Sequence, residues 1–276
     1  APAGAIAGLG SVDIRLSASL APPLAGVRAY MAGYPYTCFE QQMARAVVLG
    51  DTGRWNRLAG DLPSYQDSDG LLRYFPVDGL RGSEALTAHV LSLAAAAGFA
   101  IPEAPRARMV EALRAVIDGR LRHEGDGAGD QRLLRVSALA ALARQGAATP
   151  AMLGQIGIAP REMPTALLAD WIAAVDAIPG LANRQALRAQ AEAVLRTRLV
   201  YEGSRLDLVD QAQAPWWMMV GGDESAIKAL IAVLGRPGWQ DDGPKMMIGV
   251  AQRQQRGHWD TPPANAWGAI AVRTFA

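Results

Sequence analysis

From residue 38 onward the apolar residues recur at helical spacing, in segments at 38–49, 83–98, 104–121, 129–145, 164–177, 183–200, 223–234, 244–255 and 263–275. Each segment carries an apolar stripe that another helix can cover, which constrains the chain to an all-α architecture. Weaker helical patterns near 53–60, 149–155 and 214–221 bring the total to about twelve helices in adjacent pairs, the number that an α/α toroid of about six helical hairpins requires. An irregular helical array is the alternative. Ser83, Asn183 and Asp223 can cap helix starts, Pro105, Pro150, Pro164 and Pro244 suit a first turn, and Gly146 and Gly180 suit helix ends.

Ahead of the helices, Val12, Ile14, Leu16, Ala18 and Leu20 alternate with Asp13, Arg15, Ser17 and Ser19, the period of a short β-strand, until Pro22 and Pro23 stop it. Residues 1–22 therefore read as a strand or linker segment from a flanking domain. Residues 23–276 read as one domain, since no low-complexity linker interrupts them. With 50% hydrophobic residues such a domain can fill its own core. A formal net charge of +1 supplies no field to gather nucleic acid, and no apolar run reaches the roughly 18 residues needed to insert in a bilayer. The first residues lack a secretory signal, so an export address is expected on a longer precursor.

The chain holds a single cysteine, Cys38. By itself such a residue is a buried small hydrophobe, a free thiol or a reactive group, and residue type favours the first. Its surroundings offer more. In the stretch from Tyr34 to Arg45, YPYTCFEQQMAR, a loop enters a helix with Cys38 and Gln41 three residues apart, on one helical face. Attack of the Cys38 sulfur on the Gln41 carboxamide, with loss of ammonia, would give a thioester whose acyl carbon is far more electrophilic than an amide. Such a bond lasts only where water is excluded, and Tyr34, Tyr36 and Phe39 supply apolar bulk for shielding. Glu40, between the two reacting residues, can assist proton movement or serve as an acidic residue favoured near a helix N-terminus.

The run Tyr34-Pro35-Tyr36, then Cys38, Glu40 and Gln41, resembles the thioester signature of the α2-macroglobulin and complement family, its bacterial members above all. Gln66 to Phe75, the Leu86 to Leu91 helix and the closing Trp259, Thr261, Asn265, Ala266 and Trp267 resemble further landmarks of the family's thioester domain, so the resemblance covers nearly the whole chain. It implies an α/α toroid taken from a large periplasmic or envelope-anchored protein. It also implies that Cys38 and Gln41 are the bonded pair, with no cofactor besides that internal thioester. The implied function is a single-use protease trap rather than an enzyme: cleavage of a bait region elsewhere exposes the thioester, which acylates lysine amines of the attacking protease. The implied partners are target proteases and the flanking domains of the parent chain. Ala44, His89 and Pro262-Pro263 depart from the family's pattern without touching the bond-forming pair.

Two other readings stay open. A toroid enzyme of the glycosidase or cyclase kind would need paired carboxylates, for which Asp51, Asp67 and Asp69 are candidates. A non-reactive interaction module would need Cys38 only as filler. The His, Asp and Glu spacings give no metal signature, so no metal is expected. Trp216, Trp217, Met218 and Met219 read as core, and His89 lies on the apolar stripe with Leu86, Val90 and Leu93. Counting helices from Cys38 puts His123 at the Cys38 end of a toroid, where it is a candidate acyl-transfer residue, and His258 at the opposite end. Lysine is scarce, with Lys228 and Lys245 alone among 27 basic residues.

Overall fold

The computed structural model describes residues 20–122, 127–209 and 215–276. The expected strand over Val12–Leu20 and the candidate His123 lie outside them, save for Leu20, which is coil. Thirteen α-helices and one two-stranded sheet form the described residues.

Six helices make a closed ring: α2 (Phe39–Leu49), α5 (Glu84–Ala97), α7 (Ala128–Arg144), α9 (Thr165–Ala177), α11 (Gly222–Val233) and α13 (Pro262–Phe275). Each packs on the next in that order, and α13 returns to α2. These helices are apolar around much of their circumference because they have neighbours on both sides and behind. Residues 84–94 of α5, 165–172 of α9 and 262–272 of α13 are buried without a break. Frequent alanines, such as Ala264, Ala266, Ala269 and Ala271 in α13, let the backbones approach.

The outer layer is formed by α1 (Ala25–Ala32) and α3 (Thr52–Gly60) on α2, α6 (Glu103–Asp118) on α5 and α7, α10 (Arg184–Arg196) on α9, and α12 (Asp242–Gln252) on α11. In α10 only Ala191 and Leu195 are buried, as a one-sided helix requires. Single turns at α4 (Leu62–Tyr65) and α8 (Pro150–Leu153) complete the set. This is an all-α toroid.

Three expectations need correction. The helix expected over 183–200 ends at Arg196, and the chain turns into an antiparallel hairpin of β1 (Leu199–Glu202) and β2 (Arg205–Leu208), with Leu199 opposite Leu208. Gly203, at φ 63°, supplies the left-handed residue of its turn, while Leu206 and Leu208 are buried and β2 packs on α12. The segment near 214–221 is, where described, a 3₁₀ turn at Trp216–Met218 and not a helix. Only Met218 of the expected core group is buried there, and Trp216 is 83% exposed. Finally, α1 follows the prolines at 22 and 23 where no helix was expected, holding on through Val27 and Met31.

Candidate functional site

The first turn of α2 has free backbone N–H groups that need acceptors. The Tyr74 carbonyl takes the Phe39 N–H at 2.9 Å, and the Cys38 carbonyl takes that of Gln42 at 3.0 Å. Cys38 is the N-cap residue, in extended conformation, with the Gln41 N–H directed at its sulfur. In return the Gln41 side chain folds back, and its Oε1 accepts from the Cys38 N–H at 3.1 Å. This is a reciprocal capping box built from Cys and Gln, and it gathers the thiol and the carboxamide at one helix end.

Cys38 is 7% exposed. Burial pushes its thiol pKa up, the Gln41 N–H opposes the rise, and the Glu40 carboxyl adds to it. Glu40 is buried as well, with Oε1 lacking a hydrogen-bond partner. Desolvation, followed by the charge of Glu224 on α11, raises its pKa to about 8, so this carboxyl is largely neutral at neutral pH. Tyr34 and Tyr74 both respond to Glu40 and Cys38 with raised phenol pKa values, burial being the larger cause for each.

The three aromatic residues expected to shield the pair take different places. Phe39 is fully buried in the core, edge-on to Tyr65 at 4.9 Å between centroids. Tyr34 is half-buried between Tyr30, 5.4 Å away, and Tyr36, 5.6 Å away. Tyr36 is 66% exposed.

His258 extends this aromatic row, contrary to its expected place at the far end. Its loop leads into α13, which runs parallel to α2 in the ring, and its imidazole stacks on Tyr30 with centroids 3.6 Å apart. The error came from counting 214–221 as a helix, which reversed every later end. The contact depends on close backbone approach: a Cβ on Gly26 would lie 2.5 Å from the Gly257 carbonyl oxygen, so glycine lets α1 settle on this loop. Asn265 holds the loop rigid, accepting from Trp259 N at 3.1 Å and donating to the Trp259 and Thr261 carbonyls at 2.9 and 2.7 Å.

Inward of Glu40, the ring carries a buried charge cluster. Lys228 Nζ lies 2.8 Å from Asp170 Oδ2 and 3.3 Å from Glu224 Oε1, and Arg144 meets Asp170 Oδ1 at 3.2 Å. Lys228 and Arg144 both lie over the Trp267 ring. His89 sits beside them, and burial holds its pKa down to about 3, so it is neutral. Two of the three carboxylates considered for a glycosidase are otherwise engaged: Asp51 caps α3 at Arg54 N, and Asp67 accepts the backbone N–H groups of Asp69, Leu71 and Gly82. Among the described residues no group of three or more His, Cys, Asp or Glu is placed to hold a metal. No described helix is long and apolar enough to cross a membrane.

Glu224, Tyr30, Tyr74 and His258 are the site neighbours that spacing alone did not indicate. Tyr30 and Tyr74 lie on segments flanking α2, whereas Glu224 and His258 come from far along the chain and are brought near by ring closure.

No protein-family model and no curated protein matches the sequence. Solved structures do resemble it. Native α2-macroglobulin from Escherichia coli, spanning domain MG7 to the C-terminus, superposes with a TM-score of 0.70 at 16% identity, over 93% of this chain and 42% of that one. The E. coli protein in its native conformation gives 0.68 at 17% identity, over 93% of this chain and 17% of that one. Salmonella α2-macroglobulin reacted with methylamine gives 0.67 at 18% identity, over 93% and 18%. The chain thus spans less than half the length of each of these relatives, and its fold is that of one segment of the bacterial α2-macroglobulins.

Proposed function

We propose that this chain is the thioester domain of a protease-trapping macroglobulin, in which Cys38 and Gln41 join with loss of ammonia and the Gln41 acyl group is later transferred to an attacking protease. The capping box that holds the two side chains against each other's backbone carries this reading. Bond formation needs no rearrangement of α2, because both partners already sit on its first turn. Two similar structures point the same way: Salmonella α2-macroglobulin was reacted with methylamine, a small amine, and the E. coli protein was activated by porcine elastase. The acyl group is spent in one transfer to a lysine amine, so the domain acts as a single-use inhibitor and not as a turnover catalyst. Tyr36 stands open on this chain, so the remaining cover over the thioester belongs to flanking domains of a longer parent, displaced after bait cleavage. A periplasmic or envelope-anchored location fits such a trap.

Intact mass tests the reading. A thioester-bearing chain is lighter than the encoded sequence by one ammonia, and methylamine adds to it while releasing one titratable thiol. An unshifted mass with a freely titratable Cys38, and no glutamate at position 41, would falsify it.

A further inference from the structure

The backbone donors at the start of α2 divide among distinct acceptors. The Phe39 N–H goes to the Tyr74 carbonyl at 2.9 Å, the Gln42 N–H to the Cys38 carbonyl at 3.0 Å, and the Gln41 N–H to the Cys38 sulfur. One donor meets the Gln41 side chain itself: the Cys38 N–H, 3.1 Å from Gln41 Oε1. A peptide N–H only donates, so the carboxamide atom facing it is the oxygen, and the amide nitrogen is directed elsewhere. The other end of the same peptide unit is also held. The Thr37 carbonyl accepts from Nε2 of Gln42, the fourth residue of α2, at 2.8 Å.

We propose that the Cys38 backbone N–H is the oxyanion donor for acyl chemistry at Gln41, and that Gln42 is the positioning residue holding the Thr37–Cys38 peptide for it. This rests on the thioester reading. When the thioester forms, the Cys38 sulfur bonds to the Gln41 acyl carbon, the carbon–nitrogen bond breaks, and the thiol proton leaves with the nitrogen as ammonia. In capture the amine nitrogen bonds to the acyl carbon, the carbon–sulfur bond breaks, and a proton passes from the amine to the sulfur. Both steps go through a tetrahedral carbon whose oxygen, the former Oε1, carries negative charge. That charge develops on an atom already in hydrogen-bond contact with a fixed donor, which lowers the barrier.

Three features make this donor stronger than a lone amide. Cys38 and Gln41 sit at the positive end of α2, a helix of 11 residues. Cys38 is buried, so water competes little for the acyl oxygen. The bond from Gln42 polarises the Thr37–Cys38 peptide, because donation to its carbonyl makes its N–H a better donor. With the Phe39 N–H taken by Tyr74 and the Gln41 N–H directed at the departing sulfur, each atom that gains charge has its own backbone donor. Gln42 is half-buried and outside the apolar core, so its side chain can be changed without emptying a packed site.

The test uses the 276-residue chain and two readouts: the rate of thiol release by methylamine, and the infrared carbonyl band lost when methylamine consumes the thioester. Gln42→Met keeps the length of the side chain without its donor. It should slow aminolysis by on the order of tenfold, part of the roughly 10²-fold that one oxyanion donor supplies, and move the band to higher wavenumber as the hydrogen bond weakens. Gln42→Lys keeps a donor of similar reach and should restore most of the parent rate and band. Replacing Cys38 by its α-hydroxy analogue turns the Thr37–Cys38 amide into an ester, removes the N–H, and should slow aminolysis by on the order of 10²-fold. Circular dichroism establishes folding, and a purely structural role would leave rate and band at the parent values. Parent rate and band in a folded Gln42→Met overturn the role of Gln42, and a parent rate in the ester-linked chain overturns the donor; both results leave the thioester reading standing. If Gln42→Met does not fold, the ester-linked chain decides alone. A parent chain with no mass deficit and no glutamate at 41 overturns the thioester reading and the donor with it.

Discussion

The imidazole of His258 lies flat on the phenol ring of Tyr30, 3.6 Å between centroids and 7° between planes, and that pair touches the stretch leading into Cys38 through Tyr34. His258 Nδ1 is engaged with the Trp259 carbonyl at 2.7 Å. One ring nitrogen and one ring face are thus already committed. A histidine able to accept the acyl group would pass it on to hydroxyls, whereas direct attack favours amines. Methylamine is expected to consume the thioester much faster than glycerol, with the ratio unchanged in His258→Ala and His123→Ala. A glycerol reaction as fast as the amine reaction, slowed by either substitution, would make that histidine the acyl carrier.

Substituting either member of the proposed Cys38–Gln41 pair should abolish covalent capture and spare the fold. In Cys38→Ser the hydroxyl keeps an acceptor at the N-cap, so stability should stay near that of the parent, while Cys38→Ala should lose about 1 kcal/mol. Gln41→Glu keeps a side-chain oxygen for the Cys38 N–H. Denaturant unfolding of the three variants, beside conjugate formation with a protease, separates the cap from the chemistry. Conjugates formed as abundantly by the variants as by the parent contradict the assigned roles.

The aromatic residues of the motif should separate by depth. Phe39→Ala empties a fully buried site against Tyr65 and should cost about 3–5 kcal/mol. Tyr36→Ala, on an exposed ring, should stay within about 0.5 kcal/mol. Tyr34→Ala should speed thiol release in water, because the ring lies half-buried beside the pair. Equal thermal shifts for all three, or unchanged release for Tyr34→Ala, contradict this ordering.

Stability should carry the signature of Glu40. A carboxyl whose folded-state pKa is raised binds its proton more tightly when folded, so the contribution is full below the unfolded value of 4.5 and is lost as pH rises to about 8. Glu40→Gln removes that decline, and its unfolding free energy should fall less steeply than the parent's across the window. Parallel curves for the two proteins would count against a buried, proton-holding Glu40. In the deeper cluster, Lys228→Met leaves Asp170 with Arg144 alone and takes the cation from Glu224, and should cost about 3–5 kcal/mol by the same measurement.

Much of the ring was legible in the sequence because inner and outer helices alike carry apolar residues at helical spacing. What escaped had weak or ambiguous patterning. Helix α1 buries only Val27 and Met31, and the run from 183 to 200 looks helical until Leu206 and Leu208, alternating with polar residues, establish the hairpin. The misread turn at 216–218 had the larger consequence, since it put His258 at the wrong end. Within the site, the spacing of Cys38 and Gln41 already places them at one helix end, while their reading as a bonded pair came from the family resemblance. Glu224, whose charge adds to the raised pKa of Glu40, sits on the fifth ring helix, and no local pattern encodes that influence.

Because the ring closes between α2 and α13, α2 finds its final ring neighbour only when α13 exists. Arg273 Nη1 donates to the Val47 carbonyl at 3.3 Å, tying positions at opposite ends of the described chain. Contacts of such sequence separation form late and slow the completion of a fold. The wall beside Cys38 is therefore finished last, after His258 and α13 have emerged and docked. A nascent chain carries the Cys38 thiol and Gln41 carboxamide through translation without that enclosure, so formation of the proposed acyl–sulfur bond would be timed by completion of the ring.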